Sequence, residues 1–332
     1  MLTYRRDEFG NASSVYGLGQ RARQAIDQAR DEVAAFYGVA AKEVIFTSGG
    51  TEGDNFAFRG VAQRNADRGR HVITTTIEHD AVLRSADELE RDGFEVTRLP
   101  VDRTGLVDPA ALGRALRKDT ILVSIMAANN EIGSIEPIAE LVSVTREHSD
   151  AYFHTDAVQS TGKIPVSAEE LGVDLLSMSA HKLHGPKGVG ALIVRSGVRL
   201  QPQIVGGGHE RNRRAGTENV AGIVGLAKAL MIAQRDLVKN TEHLTRLRDR
   251  LIEGVLDRIP RAELTGHPVK RLPHHASFLF QAVEGESLLL QLDMEGIAAS
   301  SGSACPRGPR AGWYLTVTRG RRSPRSSGFP PP

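Results

Sequence analysis

Two short polar runs in this chain carry side chains that could hold an aldehyde on a pyridine ring. One is SAHK (179–182), which ends in an amine, and the other is HTDAVQ (154–159), which supplies a carboxylic acid and an amide. Asp156 precedes Lys182 by 26 residues. A lysine amine forms a Schiff base with such an aldehyde, and a carboxylate keeps the ring nitrogen protonated so that the ring draws off electrons. Taken alone, a lysine after a histidine is usually a solvated loop residue, so other parts of the chain must support this chemistry.

A glycine-rich turn, TSGGTE (47–52), follows an apolar run and precedes a helical pattern. Such a turn presents free backbone N–H groups and the positive end of a helix dipole to an anion, for example a phosphate. A glycine turn with a threonine cap is the structural alternative. The chain has no Walker-type GxxxxGK[ST] motif and no GxGxxG motif linked to a strand, so nucleotide binding is not supported.

Other polar residues also follow predicted strands. His79 could stack on a planar ring or move protons, or it could simply occupy a first helical turn. Asn129, Asn130 and Glu131 follow an apolar run, at the strand end where open α/β sheets bind ligands, although asparagine also suits turns. The runs 206–211 and 214–219 predict a flexible basic loop, which is either solvated or in contact with an anion.

Cys305 is the only cysteine in the chain, so an intramolecular disulfide is excluded and a reducing, cytoplasmic setting is expected. It ends the run SSGSAC (300–305), whose small residues leave the sulfur accessible on a mobile loop. A thiolate there could attack a substrate atom. A lone cysteine is otherwise most often a small buried apolar residue.

Composition indicates a globular protein of roughly two domains, with 332 residues of which 40% are hydrophobic and 25% charged. The start, MLTYRRDEFG, lacks the apolar core of a signal peptide, and no stretch reaches the ~20 apolar residues of a membrane span. Residues 306–332 hold six arginines and no acid, and the rest of the chain carries 36 basic against 40 acidic residues. That balance gives no reason to expect nucleic-acid binding.

Through residue 200, short apolar runs alternate with longer amphipathic ones, which predicts an α/β fold with a mainly parallel sheet flanked by helices. Helices are predicted over 51–68 and 79–93. The predicted strands are EVIFTSGG (43–50, running into the turn), HVITTT (71–76), ILVSIMAA (121–128), YFHTDA (152–157), VDLLSMSA (173–180) and GALIVR (190–195).

The pattern changes twice along the chain. Residues 1–233 are predicted to form a large α/β domain that binds the cofactor, and 234–305 a partial small α+β domain, with a strand at 276–281 and a helix at 285–296. The tail 306–332 holds six of the 15 prolines and shows no period, so disorder is expected there.

Taken together, the motifs resemble those of NifS/IscS-type cysteine desulfurases, pyridoxal-phosphate enzymes of the aminotransferase class V superfamily. The resemblance covers about residues 8–305 and implies fold type I of the pyridoxal-phosphate-dependent transferases, with a seven-stranded sheet and a smaller α+β domain. The motifs that carry it, in order, are FTSGGTEGDN, TIEHDAVL, SIMAANNEIG, HTDAVQSTGK, SMSAHKLHGPKGVGAL, GGGHERNRRAGTENV and SSGSAC.

The resemblance implies a role for each matching position. Lys182 would bind pyridoxal 5'-phosphate covalently, Asp156 would pair with the ring nitrogen, and His79 would stack on the ring and assist proton transfer. Cys305 would be the nucleophile that takes the sulfur, and would also be a transient iron–sulfur ligand. The remaining cofactor contacts would come from Gly50, Thr51, Ser179 and His181 at the phosphate, Gln159 and Asn130 near the phenolic oxygen and substrate, and Thr217 at the phosphate of a neighbouring subunit.

The implied activity converts L-cysteine to L-alanine and leaves a persulfide on Cys305, which passes its sulfur to an iron–sulfur scaffold or another sulfur carrier. A homodimer in the cytoplasm is implied, with no nucleic-acid or membrane partner. The alternatives are a related lyase or aminotransferase of the same fold, and a catalytically degenerate cofactor-binding protein. Cys305 favours the desulfurase, because transamination needs no mobile thiol.

Both ends depart from the family pattern. No Ala-Thr-Thr run precedes Asp7, which suggests a truncated start, and the family's Glu-Pro-Ser stretch and substrate-binding arginine strand do not follow Cys305. The abrupt Arg/Pro/Gly-rich tail suggests a frameshift just past Cys305, and a nucleotide sequence in which no shifted frame restores the missing segments would refute this hypothesis. Because a poorly oriented substrate can cost on the order of 100-fold in rate, impaired activity is expected.

Overall fold

A computed structural model describes residues 1–301 and the backbone of Trp313–Val317. Two short 3₁₀ helices, Ala41–Glu43 and Ala180–Leu183, complement the regular elements. The α-helices of this part are α1 (Leu2–Arg6), α2 (Gly17–Tyr37), α3 (Gly50–Arg64), α4 (Asp80–Arg91), α5 (Pro109–Ala115), α6 (Ile138–His148), α7 (Ala168–Leu171), α8 (His209–Asn212), α9 (Val220–Arg235), α10 (Leu237–Arg258) and α11 (Gly285–Met294). The strands are β1 (Val44–Thr47), β2 (His71–Thr75), β3 (Glu95–Leu99), β4 (Thr120–Ser124), β5 (Tyr152–Asp156), β6 (Leu175–Ser179), β7 (Gly190–Val194), β8 (Ala262–Leu264), β9 (Ala276–Phe280), β10 (Ser300–Ser301) and β11 (Trp313–Val317).

The main sheet has seven strands in the order β1-β7-β6-β5-β4-β2-β3, which confirms the predicted architecture. Strand β7 runs antiparallel to both of its neighbours, and the other pairs are parallel. The sequence reading missed β3, an edge strand whose mixed sequence, EVTRL, gives no continuous apolar run. The predicted strand 121–128 ends at Ser124, although its last four residues stay buried.

Helices cover both faces of this sheet, so consecutive strand residues enter different apolar layers. Val72 packs in the layer with α3 and α4, whereas Ile73 packs in the layer with α2 and α9. This alternation follows from the two-residue period of a strand. Burial on both faces explains why the central strands are nearly continuous apolar runs.

A second, antiparallel sheet has the order β10-β11-β9-β8 and packs an apolar cluster around Phe278 against α10 and α11. The prediction of a disordered tail over 306–332 is wrong for Trp313–Val317, which pairs along the whole of β9. Its sequence, WYLTV, consists of aromatic and β-branched residues that favour strands. The other residues of that tail lie outside the part that the structure describes.

The topology places five strand ends at one edge of the main sheet. Strands β2, β4, β5 and β6 run parallel, and β1 shares their direction because both β1 and β6 are antiparallel to β7. The turns that follow these strands therefore meet at one edge, where open α/β sheets bind ligands. Each polar run singled out through residue 182 follows one of these strands.

Candidate active site

The first turn of α3 forms an anion seat. Helix α3 begins at Gly50, and no side chain caps its N-terminal N–H groups. A Cβ atom on Gly50 would lie 2.6 Å from Cγ2 of Val158 and 3.8 Å from Cβ of Ser179, so the turn packs closely against the ends of β5 and β6. Free N–H groups and the helix dipole favour an anion at this position.

Ser179 and His181 border the same seat from the end of β6. The Ser179 hydroxyl lies 2.8 Å from Nδ1 of His181. Burial, followed by the positive charges of Lys182 and Lys187, lowers the pKa of His181. A phosphate here would offset that effect, because a nearby opposite charge favours the protonated imidazole.

Asp156 is a buried carboxylate at the end of β5, beside the anion seat. Its Oδ1 accepts a hydrogen bond of 2.8 Å from the backbone N–H of Val158. Burial raises the pKa of Asp156, and the charges of His79 and Lys182 lower it. Asp156 therefore lies within electrostatic reach of both His79 and Lys182.

His79 lies at the start of α4 as its N-cap. Its Nδ1 accepts a hydrogen bond of 3.1 Å from the backbone N–H of Ala81. Because Nδ1 accepts, the neutral ring carries its proton on Nε2. His79 thus fills the first-turn position that the sequence left open, and its exposed ring keeps Nε2 available for proton transfer.

Lys182 is exposed on the 3₁₀ helix that directly follows β6. This short helix ends at Leu183, and the next residue, His184, adopts a left-handed conformation with φ +61°. The tight turn starts from a buried strand, so it holds the lysine at the sheet edge that also carries Asp156. An amine, a buried acid and an anion seat thus lie at one edge of the sheet.

The other residues that the sequence singled out differ in their positions and exposure. Asn129 closes its own turn, since its Oδ1 accepts from the N–H groups of Glu131 and Ile132 at 2.8 and 2.9 Å. Asn130 and Gln159 are half-buried at the same edge, and Thr51 is exposed in the first turn of α3. Thr217 is exposed on its loop, and the described contacts do not join it to Lys182 or Asp156. Cys305 lies outside the described residues.

The predicted solvated loop at 206–211 is wrong for Glu210. This carboxylate is buried and receives two hydrogen bonds from the buried guanidinium of Arg30, at 2.7 and 2.8 Å. The backbone N–H of Phe46 also donates to it at 3.2 Å. A pair of charges distant in sequence leaves no local pattern, so the sequence did not reveal this anchor.

Buried acids near Asp156 were also missed. Asp54, on α3, is buried, and its Oδ1 lies 3.8 Å from Nε2 of His154 without a hydrogen bond. Burial and the charge of Asp156 raise the pKa of Asp54 well above the usual range. Glu78 accepts from the Thr75 hydroxyl at 2.7 Å and from the Met126 N–H at 3.0 Å. Burial raises the pKa of Glu78 to about 8. Its position next to His79 was the only available signal in the sequence.

Substituting Glu78 by glutamine is expected to remove a pH-dependent loss of stability. Because burial raises the folded-state pKa of this acid from 4.5 to about 8, the folded protein binds the extra proton between these values and loses stability as pH rises through this window. The wild type should lose on the order of 3 kcal/mol more than Glu78→Gln between pH 4.5 and pH 7. Denaturant unfolding at both values measures this difference, and parallel stability curves would contradict the expectation.

These residues fit pyridoxal phosphate in their donor chemistry. Uncapped N–H groups and a hydroxyl suit a phosphate, the buried Asp156 suits a ring nitrogen, and the exposed Lys182 suits an aldehyde. Within the described part of the chain, no group of three or more His, Cys, Asp or Glu side chains could hold a metal ion. No helix there is both long and apolar enough to span a bilayer.

Comparison with known proteins gives matches along most of the chain. The family model for aminotransferase class-V matches residues 1–318. The cysteine desulfurase IscS of Dictyoglomus turgidum is 54% identical over 305 residues, which cover 92% of this chain and 77% of that protein. The cysteine desulfurase IscS of Methanosarcina thermophila is 52% identical over 305 residues, with 92% of this chain and 75% of the relative covered.

The fold also matches a solved structure along most of its length. A NifS-like protein superposes with a TM-score of 0.92 at 39% sequence identity, covering 96% of this chain and 88% of that one.

Proposed function

This chain belongs to the aminotransferase class-V family, and from that membership we propose that it is a pyridoxal-phosphate-dependent cysteine desulfurase. Its relatives with about half of their residues identical carry that name. The observation that carries the proposal is the convergence of Lys182, buried Asp156 and the uncapped start of α3 at one sheet edge. The substrate is L-cysteine and the products are L-alanine and an enzyme-bound sulfur atom.

The environment of each side chain in the cofactor site indicates its role. When bound, the protonated pyridine ring supplies an electron sink for the amino acid. Asp156 holds the proton on the ring nitrogen, because a buried carboxylate interacts strongly with a positive charge in a low dielectric. The phosphate would be held by the N–H groups at Gly50 and Thr51 and by Ser179 and His181. These contacts would fix the position of the ring.

Lys182 and His79 are the proposed proton carriers of the site. Lys182 would hold the cofactor covalently, and its amine would accept and donate protons at the substrate α-carbon. His79, whose side chain is exposed and whose Nδ1 is occupied by the Ala81 N–H, serves as a second proton carrier. Asn130 and Gln159 orient the ring oxygen and the substrate.

Cys305 takes the sulfur. Its thiolate attacks the substrate sulfur, forming an S–S bond while the C–S bond breaks. The electron pair of the broken bond goes to the substrate carbon, which takes up a proton and leaves as alanine. The persulfide then passes its outer sulfur to a carrier, for which an iron–sulfur scaffold is the proposed class, with transient cluster contact at Cys305. The protein acts as a cytoplasmic homodimer in which Thr217 reaches the partner's phosphate.

The test follows sulfur and alanine from L-cysteine. The purified protein with pyridoxal phosphate should show the absorption band of a lysine-bound cofactor, form alanine, and acquire a persulfide detectable by mass spectrometry on Cys305. Because the run after Cys305 does not match the family's substrate-binding segment, the rate of this chain is expected to be on the order of 100-fold below that of its relatives. A normal rate would contradict that impairment.

Replacing Cys305 by alanine is expected to separate cofactor binding from sulfur transfer. The variant should keep the absorption band and lose both persulfide and alanine formation, because the nucleophile is absent but the cofactor residues are intact. A band without any turnover in the wild type would favour the degenerate cofactor-binding alternative. Alanine formation that survives in Cys305→Ala would favour a related lyase or aminotransferase.

A further inference from the structure

A salt bridge joins the first turn of α3, where the anion seat lies, to the loop between α8 and α9. Glu52, in that first turn, accepts hydrogen bonds from Nε and Nη2 of Arg214 at 2.8 and 3.1 Å. The same carboxylate accepts a hydrogen bond of 2.8 Å from the backbone N–H of Ser48. Glu52 therefore links the turn that precedes α3 to an arginine 162 positions further along the chain.

The backbone that follows Arg214 is fixed by the fold. The N–H of Ala215, a buried residue, donates to the carbonyl of Ile204 at 3.1 Å. The N–H of Gly216 donates to Nδ1 of His209 at 3.3 Å. Gly216 has φ +117°, and a Cβ atom on it would lie 3.3 Å from Nη1 of Arg214, so glycine leaves room for the guanidinium. The arginine thus extends from a held segment of the loop.

The Glu52 carboxylate carries a negative charge close to the anion seat. Burial disfavours its ionisation, but the hydrogen bonds from Arg214 and Ser48 outweigh burial and lower the pKa of Glu52. The turn that Glu52 contacts borders the seat, since a Cβ atom on Gly49 would lie 3.7 Å from Oγ of Ser179. Without a partner, this charge would disfavour a phosphate there, because like charges repel. Within the described part of the chain, Arg214 is the only cation in a salt bridge with Glu52.

We propose that Arg214 is a positioning residue for the cofactor, which neutralises Glu52 and so allows the first turn of α3 to accept a dianionic phosphate. The inference rests on the proposed function, because that function supplies the phosphate. Arg214 acts through Glu52, since both described hydrogen bonds of its guanidinium go to that carboxylate. Only 22% of the arginine side chain and 15% of the glutamate side chain are exposed, so solvent screens the pair only in part.

A purely structural role makes a different prediction. An acidic residue in the first turn stabilises a helix through its dipole, and a salt bridge to it could serve only to hold the loop. In that case, loss of either partner would weaken cofactor binding to the same extent. Neutralisation predicts that the partners differ, because loss of Arg214 leaves an uncompensated negative charge and loss of Glu52 leaves none.

The experiment is a titration of the cofactor-free full chain with pyridoxal phosphate, followed by the absorption band of the lysine-bound cofactor. Arg214→Met should raise the dissociation constant on the order of 10-fold, because a negative charge near the phosphate loses its partner. Glu52→Gln should bind the cofactor at least as tightly as the wild type. The double variant, Arg214→Met with Glu52→Gln, should return to within about threefold of the wild-type dissociation constant.

Two matched controls separate the charge from general damage. Pyridoxal lacks the phosphate, so Arg214→Met should leave the dissociation constant of pyridoxal unchanged. Arg199→Met breaks a salt bridge with Asp67, beyond the other end of α3, and should bind pyridoxal phosphate as the wild type does. Arg214→Lys keeps the positive charge and should also bind pyridoxal phosphate as the wild type does.

The outcomes separate the inference from the proposed function. Wild-type affinity in Arg214→Met, equal weakening in Glu52→Gln, or equal weakening for pyridoxal would overturn the role of the Arg214 charge. The desulfurase proposal would stand in each case if the wild type forms the band and produces alanine. Absence of the band in the wild type would refute the cofactor site and the inference with it. If Arg214→Met does not fold, Arg214→Gln removes the same charge with a polar side chain and decides the question.

Discussion

Replacement of Lys182 by alanine is expected to reduce alanine formation from L-cysteine by on the order of 10³-fold or more. The amine is the proposed cofactor attachment point and proton carrier, and proton transfer alone contributes about 10²–10⁴-fold. The absorption band of the lysine-bound cofactor should disappear. The α3 anion seat is unchanged, so pyridoxal phosphate should still bind without a covalent link.

Lys187 provides the matched control for this substitution. It is an exposed lysine five residues further on, and it also lowers the pKa of His181. Lys187→Ala should keep the band and most of the turnover, because its side chain is not placed at Asp156. Retention of the lysine-bound band in Lys182→Ala would show that another amine carries the cofactor.

Substituting Arg30 by methionine is expected to destabilise the fold by about 3–5 kcal/mol, since this leaves the buried carboxylate of Glu210 without its partner. Arg30 donates to both carboxylate oxygens of Glu210 and to the carbonyl of Val44, joining α2 to α8 and to β1. The midpoint of denaturant unfolding measures the loss. Arg84→Met, which alters an exposed pair with Asp87, should change it far less.

The same pair holds a strained stretch of backbone. Glu210, Arg211 and Asn212 have φ values of +45°, +58° and +63°, and such conformations cost of order 1–3 kcal/mol each for residues other than glycine. Adding Asn212→Gly to Arg30→Met should therefore recover about 1 kcal/mol. No recovery would show that Asn212 adopts its left-handed conformation without such a cost.

Sequence patterns predicted the sheet and selected candidate residues at its edge, because that information is local. Buried strand β4 is a largely apolar run, and polar residues follow it at the sheet edge where the candidate site lies. His79 could be placed at a helix start from its neighbours alone. The tail prediction was wrong for Trp313–Val317 because low regularity and many prolines concealed a five-residue strand.

The sequence by itself determined the α/β class, the anion turn at Gly50 and the identity of Lys182, Asp156 and His79 as candidates. These depend on residue type and on short-range periods, which a linear chain displays directly. Only the tertiary structure decided which side chains meet: the Arg30–Glu210 pair joins residues 180 positions apart, and Lys163 reaches the carbonyl of Lys182 across 19. Pairings of this kind, and the burial that raises the pKa of Glu78, arise from chain packing and depend on contacts that no local pattern encodes.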